Sequence, residues 1–135
     1  MRSALEKAYE RHPDAVLWHG NCEPGDVHAA GMWKAMGGKD KPCDADWPTC
    51  APDCRPSHRR QRRNGDWYCP AAGLRRDAAM VESAPDLGLA FIDPKSRTKG
   101  AIRTADMLVD AGIPTLVYRQ GVAGVETHNV AEVTS

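Results

Sequence analysis

Four residues in the middle of the chain have the types and spacing of a metal site. Cys50, Cys54 and His58 follow one another with three residues between each, and Cys69 completes the set ten residues after His58. Three thiolates and one imidazole suit tetrahedral zinc, and four protein ligands leave no coordination position open for a substrate. The spacing therefore predicts a structural zinc site. Cys43 is an alternative candidate for one of the four ligands.

The predicted ligands lie in a long segment without regular patterning. Residues 39–70 contain five prolines, four cysteines and five arginines and show no sustained periodicity. A structureless loop of that length is unusual in a compact domain unless something else orders it. Structural zinc sites have apparent binding free energies of about 10–16 kcal/mol, which is enough to order such a loop. The alternative is a loop that carries free thiols.

The same loop combines basic and aromatic residues. Its five arginines precede Trp67 and Tyr68; they are Arg55, Arg59, Arg60, Arg62 and Arg63. Arginines interleaved with aromatic rings can bind phosphates and stack bases, so nucleic acid is a candidate partner. A solvated basic loop is the favoured interpretation, because the formal net charge of the chain is zero and no nucleic-acid-binding motif surrounds the loop.

Two turns have the composition of phosphate-binding turns. The first runs from His19-Gly20 to Gly25-Asp26, between a predicted strand and a predicted helix. The second follows Asp93 and leads to Gly100 at the next helix; it contains Lys95, Ser96, Arg97 and Lys99. Backbone N–H groups at a helix start favour bound phosphate. The two turns together predict an anionic small-molecule ligand.

Arg75 and Arg76 are further candidates for binding that anion. They follow Gly73 at the start of a predicted helix, where a guanidinium can bind an anion through two hydrogen bonds. A surface salt bridge is the alternative role for each arginine.

Apolar periodicity predicts an alternation of helices and strands. Helices are expected over residues 3–11, 26–36, 71–83 and 102–111, with Asp26 as an N-cap, and strands over 15–18, 87–92 and 114–118. Short apolar strands that alternate with helices are typical of a parallel sheet covered by helices. The predicted fold class is α/β, a Rossmann-like parallel sheet with flanking helices and a small zinc-stabilised loop insertion. In such folds ligands bind at the carboxyl ends of the strands.

Length and composition predict one soluble domain. The chain has 135 residues with 18 basic and 18 acidic side chains, so its net charge attracts neither nucleic acid nor membrane. No apolar stretch approaches the roughly 20 residues that span a bilayer. The charged start of the chain is unlike a signal peptide, and five cysteines, an odd number, argue against a disulfide framework. We expect a cytoplasmic domain over residues 1–120, with residues 39–70 inserted, and a tail or edge element over 121–135.

The order of several short motifs resembles the YspA-like branch of the SLOG superfamily, the DUF2493 domains. These motifs are His19-Gly20 with Gly25-Asp26, Ala45-Asp46-Trp47, Ala72-Gly73 with Arg76-Asp77 and Met80, Leu89-Ala90-Phe91, Gly100-Ala101, and Ala111-Gly112-Ile113-Pro114. The match runs from about residue 2 to 120, and the loop ending in Tyr68-Cys69-Pro70 looks like the version in actinobacterial and phage members. The resemblance implies a Rossmann-like domain that binds a nucleotide or a nucleotide-derived ligand.

The sequence departs from that family at three places. The family usually begins with a strand near the sheet centre, and this chain begins after it, at the first helix. Either the start is truncated, or another element, the tail or a second subunit of a homo-oligomer, fills that position. The usual Arg-Asn pair is Arg76-Asp77, and the usual Gly-Thr is Gly100-Ala101. The related LOG phosphoribohydrolases carry a catalytic glutamate where this chain has residues 102–104 and no acid.

The sequence therefore favours a non-enzymatic protein that senses or sequesters a nucleotide-like phosphate and contains structural zinc. The residues predicted to bind the ligand are His19, Gly20, Gly25, Asp26, Arg76, Asp77, Ser96 and Gly100. One alternative is a LOG-like phosphoribohydrolase of nucleoside monophosphates, which the missing carboxylate disfavours. The other is a zinc-stabilised nucleic-acid-binding protein that uses the five arginines. No membrane partner is expected.

Overall fold

The chain forms four helices and seven short strands in the part that the computed structural model describes, residues 1–21, 24–52, 54–55, 58–95 and 100–130. In order along the chain these elements are α1 (Arg2–Arg11), β1 (Val16–His19), α2 (Pro24–Ala35), β2 (Lys39–Pro42), β3 (Arg60–Gln61), β4 (Trp67–Tyr68), α3 (Ala72–Glu82), β5 (Gly88–Ile92), α4 (Gly100–Asp110), β6 (Thr115–Arg119) and β7 (Glu126–His128). Within these ranges no helix has both the length and the apolar run needed to cross a bilayer.

The predicted alternation of helices and strands is confirmed, with small differences at the boundaries. Helices α2 and α4 each begin two residues before the predicted start, and because α2 begins at Pro24, Asp26 lies in its first turn and is not the N-cap. Proline is well suited to the first position of a helix because its ring fixes φ near the helical value. The protein is therefore a mixed α/β protein that contains parallel strand pairs.

Three short strands, β2, β3 and β4, lie in residues 39–70, where the sequence predicted only loop. Lys39–Pro42 forms β2 and pairs in parallel with β1, from Val16↔Lys39 to His19↔Pro42. Two lysines, an aspartate and a proline are typical of an edge strand, where charge and a missing N–H prevent further pairing. The Lys41 ammonium lies 4.1 Å from the centre of the Trp18 ring on the paired position of β1. This cation–π contact stabilises a strand that has no apolar pattern of its own.

The second sheet has the order β5-β6-β7. β5 and β6 are parallel, and β7 pairs antiparallel with β6, so the segment after residue 121 supplies an edge strand. α4 packs on β5 and β6, and the buried side chains between them are Ala90, Ile92, Ala105 and Val117. The Arg119 guanidinium donates a 2.7 Å hydrogen bond to Glu126 across the β6–β7 pair.

A second core cluster connects the two sheets. Leu5, Ala29 and Trp33 of α1 and α2 are buried together, and Leu17 of β1 and Leu89 of β5 both pack against them. The β1–β2 pair and the β5-β6-β7 sheet are nevertheless separate hydrogen-bonded sheets among the described residues. The structure thus contains parallel pairs on a shared core, while a single Rossmann-like sheet stays a prediction.

We predict that this shared core determines global stability. Leu5 is 0% exposed, whereas Leu74 on α3 is 42% exposed. Leu5→Ala should lower the free energy of unfolding by about 2–5 kcal/mol, because it leaves a cavity in the core. Leu74→Ala, the matched control, should change it by about 0.5 kcal/mol or less. Urea denaturation followed by circular dichroism measures both, and equal losses would contradict the assignment of the core.

Candidate metal centre

The structure brings the four predicted metal ligands into one cluster. The donor atoms of Cys50, Cys54, His58 and Cys69 all lie within 4.8 Å of one another. The Sγ atoms of Cys54 and Cys69 are 3.9 Å apart, and His58 Nε2 lies 3.2 Å from Cys69 Sγ. Tetrahedral zinc with Zn–S bonds of about 2.3 Å places two sulfurs about 3.8 Å apart. The donor set and its spacing therefore fit a metal ion, and the three thiols are free of disulfides.

The cluster lies at the base of a very short hairpin. His58 comes just before β3 and Cys69 just after β4, and the hairpin itself has only two paired positions, Arg60↔Tyr68 and Gln61↔Trp67. A two-stranded hairpin of this kind is at best marginally stable in water. His58 and Cys69 flank the two strands, so a metal ion bound by both would join the open end of the hairpin, beyond its two paired positions.

The other two ligands come from the turns that precede the hairpin. The Cys54 N–H donates to Ala51 O at 3.0 Å, and the Thr49 N–H donates to Asp46 O, which bends the chain on either side of Cys50. The Cys69 N–H donates a 2.6 Å hydrogen bond to Trp47 O. The segment that looked structureless in sequence is thus folded around Cys69.

Cys69 is the most buried ligand and is held as a good metal donor. Its side chain is 0% exposed, and Arg75 Nη1 donates to its sulfur at 3.4 Å. Burial opposes ionisation of the Cys69 thiol, but hydrogen bonds from Arg75 and His58 outweigh burial and lower its pKa to about 6. Burial and the neighbouring Cys69 raise the pKa of Cys50. Since the thiolate is the metal-binding form, Cys69 is prepared for a metal near neutral pH.

The contacts of Arg75 are with this cluster and not with an anion site, which was its predicted role. Its Nη1 atom also lies 3.7 Å from Cys54 Sγ, and its Nη2 atom donates a 2.6 Å hydrogen bond to Thr49 O. A positive side chain among three thiols favours their ionised forms. Arg75 therefore connects α3 to the cluster both electrostatically and through the loop backbone.

Cys43 is not part of the clustered donor set among the described residues. Its thiol donates to Lys41 O at 3.7 Å, and burial raises its pKa. It borders a cavity next to the cluster, and a protonated thiol is a poor metal ligand. The structure therefore favours the four predicted ligands over any set that includes Cys43.

That cavity has a volume of about 350 Å³ and lies between α3 and the carboxyl ends of β1 and β2. Side chains of several chemical types border it: Trp18, Asp44, Asp46, Arg75, Arg76 and Met80. Its place at the ends of parallel strands is the one expected for a ligand site in an α/β fold. The metal cluster and the cavity share Arg75 as a common wall.

Arg76 connects the ends of both strands to α3. Its Nη1 atom donates to Gly20 O at 2.6 Å and to Cys43 O at 3.3 Å, and its Nε atom donates to Asp77 at 2.6 Å. A Cβ on Gly20 would lie 2.7 Å from Arg76 Cζ and 2.9 Å from Asp26 Oδ2. Gly20 therefore allows the guanidinium and the carboxylate to approach the backbone. Four of the predicted ligand residues therefore meet here: Gly20, Asp26, Arg76 and Asp77.

His19, the next predicted ligand residue, has a structural contact with β2. It is buried, its Nε2 atom lies 2.8 Å from Asp40 Oδ2, and the Asn21 N–H donates to its Nδ1 atom at 3.1 Å. This pattern places a hydrogen on Nε2, which donates to Asp40 and lowers the pKa of that carboxyl. His19 therefore joins β1 to the edge strand and lies next to the residues around Gly20.

The remaining predicted ligand residues are separate from this group. Gly25 lies in the first turn of α2, and Gly100 begins α4, which packs on the other sheet. Ser96 lies outside the described residues, as do Arg97, Lys99 and Cys22. The second predicted phosphate-binding turn is thus not described beyond Lys95, whose N–H donates to Asp93 at 2.9 Å.

Trp18, Asp44, Asp46 and Met80 border the cavity but are not among the predicted ligand residues, although Asp46 and Met80 lie in motifs of the SLOG resemblance. Asp44 and Asp46 follow β2, so they were missed because that strand was missed. Trp18 was assigned only to a buried strand, yet it is 38% exposed. Met80 follows Arg76 by one helical turn, and this spacing was a usable signal because such residues share a helix face.

Comparison of the chain with family models, with curated proteins and with solved structures found no match in any of the three. The resemblance to the SLOG superfamily therefore stays a prediction that rests on the motifs quoted above.

We predict that Cys54→Ser and Cys69→Ser abolish stoichiometric metal binding, because each removes a donor from a closed set of four. Removing a metal ligand should also destabilise the loop. Cys43→Ser is the matched control and should keep the full metal content and an unchanged Tm. Elemental analysis of the purified proteins and thermal denaturation measure the two effects. If both ligand variants keep their metal, the assignment is wrong.

Gly20→Ala tests the contact between Arg76 and the end of β1. The added Cβ would displace the guanidinium or the Asp26 carboxylate, which should cost about 1–3 kcal/mol of the free energy of unfolding. Gly25→Ala is the matched control, since the one described atom that its Cβ would meet is Met1 Cε, at 3.9 Å. Chemical denaturation should show a loss for Gly20→Ala alone. Equal stability of the two variants would show that Arg76 is free to move.

Proposed function

We propose that this protein is a non-enzymatic binding module with a structural zinc and a nucleotide or nucleotide-derived phosphate as its ligand. The observation that carries the proposal is the cavity at the carboxyl ends of β1 and β2, whose wall shares Arg75 with the cluster of Cys50, Cys54, His58 and Cys69. The cluster stabilises the fold, and the cavity receives the ligand.

Zinc is the metal that the donor set favours. Thiolate ligands select soft or borderline ions, and three thiolates with one histidine form a familiar closed zinc site. Zn²⁺ with three thiolates and a neutral imidazole has a net charge of −1, which the Arg75 guanidinium beside Cys69 offsets. A closed site supports a structural role. A cytoplasmic location, where thiols stay reduced, belongs to the same proposal.

The cavity has features that suit a nucleotide. Its volume lies within the range of small-molecule sites. The partly exposed Trp18 ring offers a plane for stacking a base, and Asp44 and Asp46 can accept hydrogen bonds from ribose hydroxyls. Arg75 is already committed to the thiols and the loop backbone, but Arg76 Nη2 donates to none of the described residues and can donate to a phosphate. The shared packing of Leu17 and Leu89 supports a Rossmann-like arrangement of β1 and β5 around this site.

Native mass spectrometry of the purified protein, compared with its denatured mass, tests both parts. We expect one zinc per chain and a further adduct after addition of AMP, GMP, CMP or UMP. Ala79→Trp is designed to fill the cavity, because Ala79 borders it away from the metal ligands. This variant should keep zinc and lose the nucleotide.

Three results would overturn the proposal. One is a wild-type protein that binds none of the four nucleotides. Another is equal nucleotide binding by Ala79→Trp, which would place the ligand elsewhere. The third is release of free base from a bound nucleotide, which would establish the phosphoribohydrolase alternative.

A further inference from the structure

The hairpin above the metal cluster has a positively charged surface that the cavity does not use. Residues 58–69, here called the arginine hairpin, contain four arginines and one acidic residue, Asp66, and Arg55 lies just before them. The Asp66 carboxylate accepts a 3.1 Å hydrogen bond from Asn64. Within the described ranges, none of these five arginines forms an ion pair. Because the whole chain is neutral, this is a local concentration of unbalanced positive charge.

Two of the arginines hold the hairpin against the protein. Arg62 lies over the Tyr68 ring at 4.6 Å and over the Trp47 ring at 5.7 Å. Arg59 Nη2 donates to Pro48 O at 2.9 Å. These contacts, together with the cluster at the base, give the hairpin a defined orientation. A rigid surface loses less conformational entropy on binding than a flexible one.

The other three arginines point to a partner outside the chain. Arg55, Arg60 and Arg63 are exposed. In the part of the chain that the structure describes, their guanidinium groups make no hydrogen bond or ion pair. Guanidinium groups bind phosphate well because they can donate two parallel hydrogen bonds to it. This surface is therefore complementary to a partner that is rich in phosphate groups.

Trp67 narrows the choice of partner. It is 55% exposed, whereas Trp47 and Tyr68 pack edge-on against each other, 6.1 Å between ring centres. Trp67 pairs with Gln61 and therefore projects from the face of the hairpin opposite Arg60. An exposed indole on the same short hairpin as exposed arginines suits an unpaired base, because every base has a face that can stack and a flexible single strand can reach both faces. Bases in a duplex are stacked on one another, and acidic peptides offer no comparable flat ring. The combination therefore favours single strands.

We propose that the arginine hairpin binds single-stranded nucleic acid, with Arg55, Arg60 and Arg63 on the phosphates and Trp67 stacked on a base. The site is distinct from the cavity and does not require the proposed nucleotide ligand. We expect little sequence preference, since phosphates and base faces are common to all sequences.

Fluorescence anisotropy with a labelled single-stranded 12-nucleotide DNA and the zinc-loaded protein tests this. Three phosphate contacts on a single strand predict a slope of log K against log salt of about −2, or about a 15-fold loss of affinity between 50 and 200 mM salt. Arg60→Ala and Arg63→Ala should each weaken binding and make that slope shallower by about 0.7.

Trp67→Ala separates stacking from charge. It should weaken binding about 5- to 150-fold, the range expected for loss of one base–aromatic stack, and leave the salt slope unchanged. Arg103→Ala on α4 is the matched control, because Arg103 is also exposed but lies on another element, and it should bind as the wild type does. Zinc content is measured for every variant, so that a loss of folding is not read as a loss of contact.

The outcomes against the proposal are specific. No binding by zinc-loaded wild type, or an equal loss with Arg103→Ala, would overturn it. Tighter binding to duplex DNA than to the single strand would also overturn the proposal, because it would show that charge alone, without base stacking, drives binding. If a polyglutamate peptide binds as tightly as the oligonucleotide and Trp67→Ala has no effect, the partner is an acidic protein and not nucleic acid. Ala79→Trp should bind the 12-nucleotide strand normally, which separates this site from the cavity.

Discussion

The structure of the described residues 43–76 depends on the contacts of one buried residue, Cys69. Its sulfur lies among Cys54, His58 and Arg75, its N–H donates to Trp47 O, and the Ala72 N–H donates to its carbonyl at 3.1 Å. One residue thus connects the hairpin, the preceding loop and the first turn of α3. These parts contain few apolar side chains, so a polar cluster with the donor set for a metal ion replaces the hydrophobic core that they lack.

Two consecutive arginines extend this arrangement to the strands. Arg75 contacts the thiols, while Arg76 contacts the backbone at the carboxyl ends of β1 and β2. Residues adjacent in a helix project about 100° apart, so neighbouring side chains reach different parts of the structure. The first turns of α3 therefore fix the distance between the metal centre and the cavity.

The predictable part of the fold is the part with regular hydrophobic patterning. The four helices and the strands β1, β5 and β6 follow from apolar periodicity, and the core residues Leu5, Trp33 and Val117 lie on those elements. β2 was missed because its residues are charged or proline and it is stabilised by pairing with β1 and by the Lys41–Trp18 contact. Both contacts involve residues distant in sequence, which local patterns do not encode.

The amino-acid sequence alone determined the metal-ligand candidates, because cysteine and histidine at short, regular spacing are chemically distinctive. It also determined the alternation of helices and strands. Only the tertiary structure decided that Cys43 stands apart, that Arg75 serves the thiols, and that Arg76 holds the strand ends. An arginine has the same chemistry in every context, and its role depends on which acceptors the fold brings within about 3 Å of its guanidinium group.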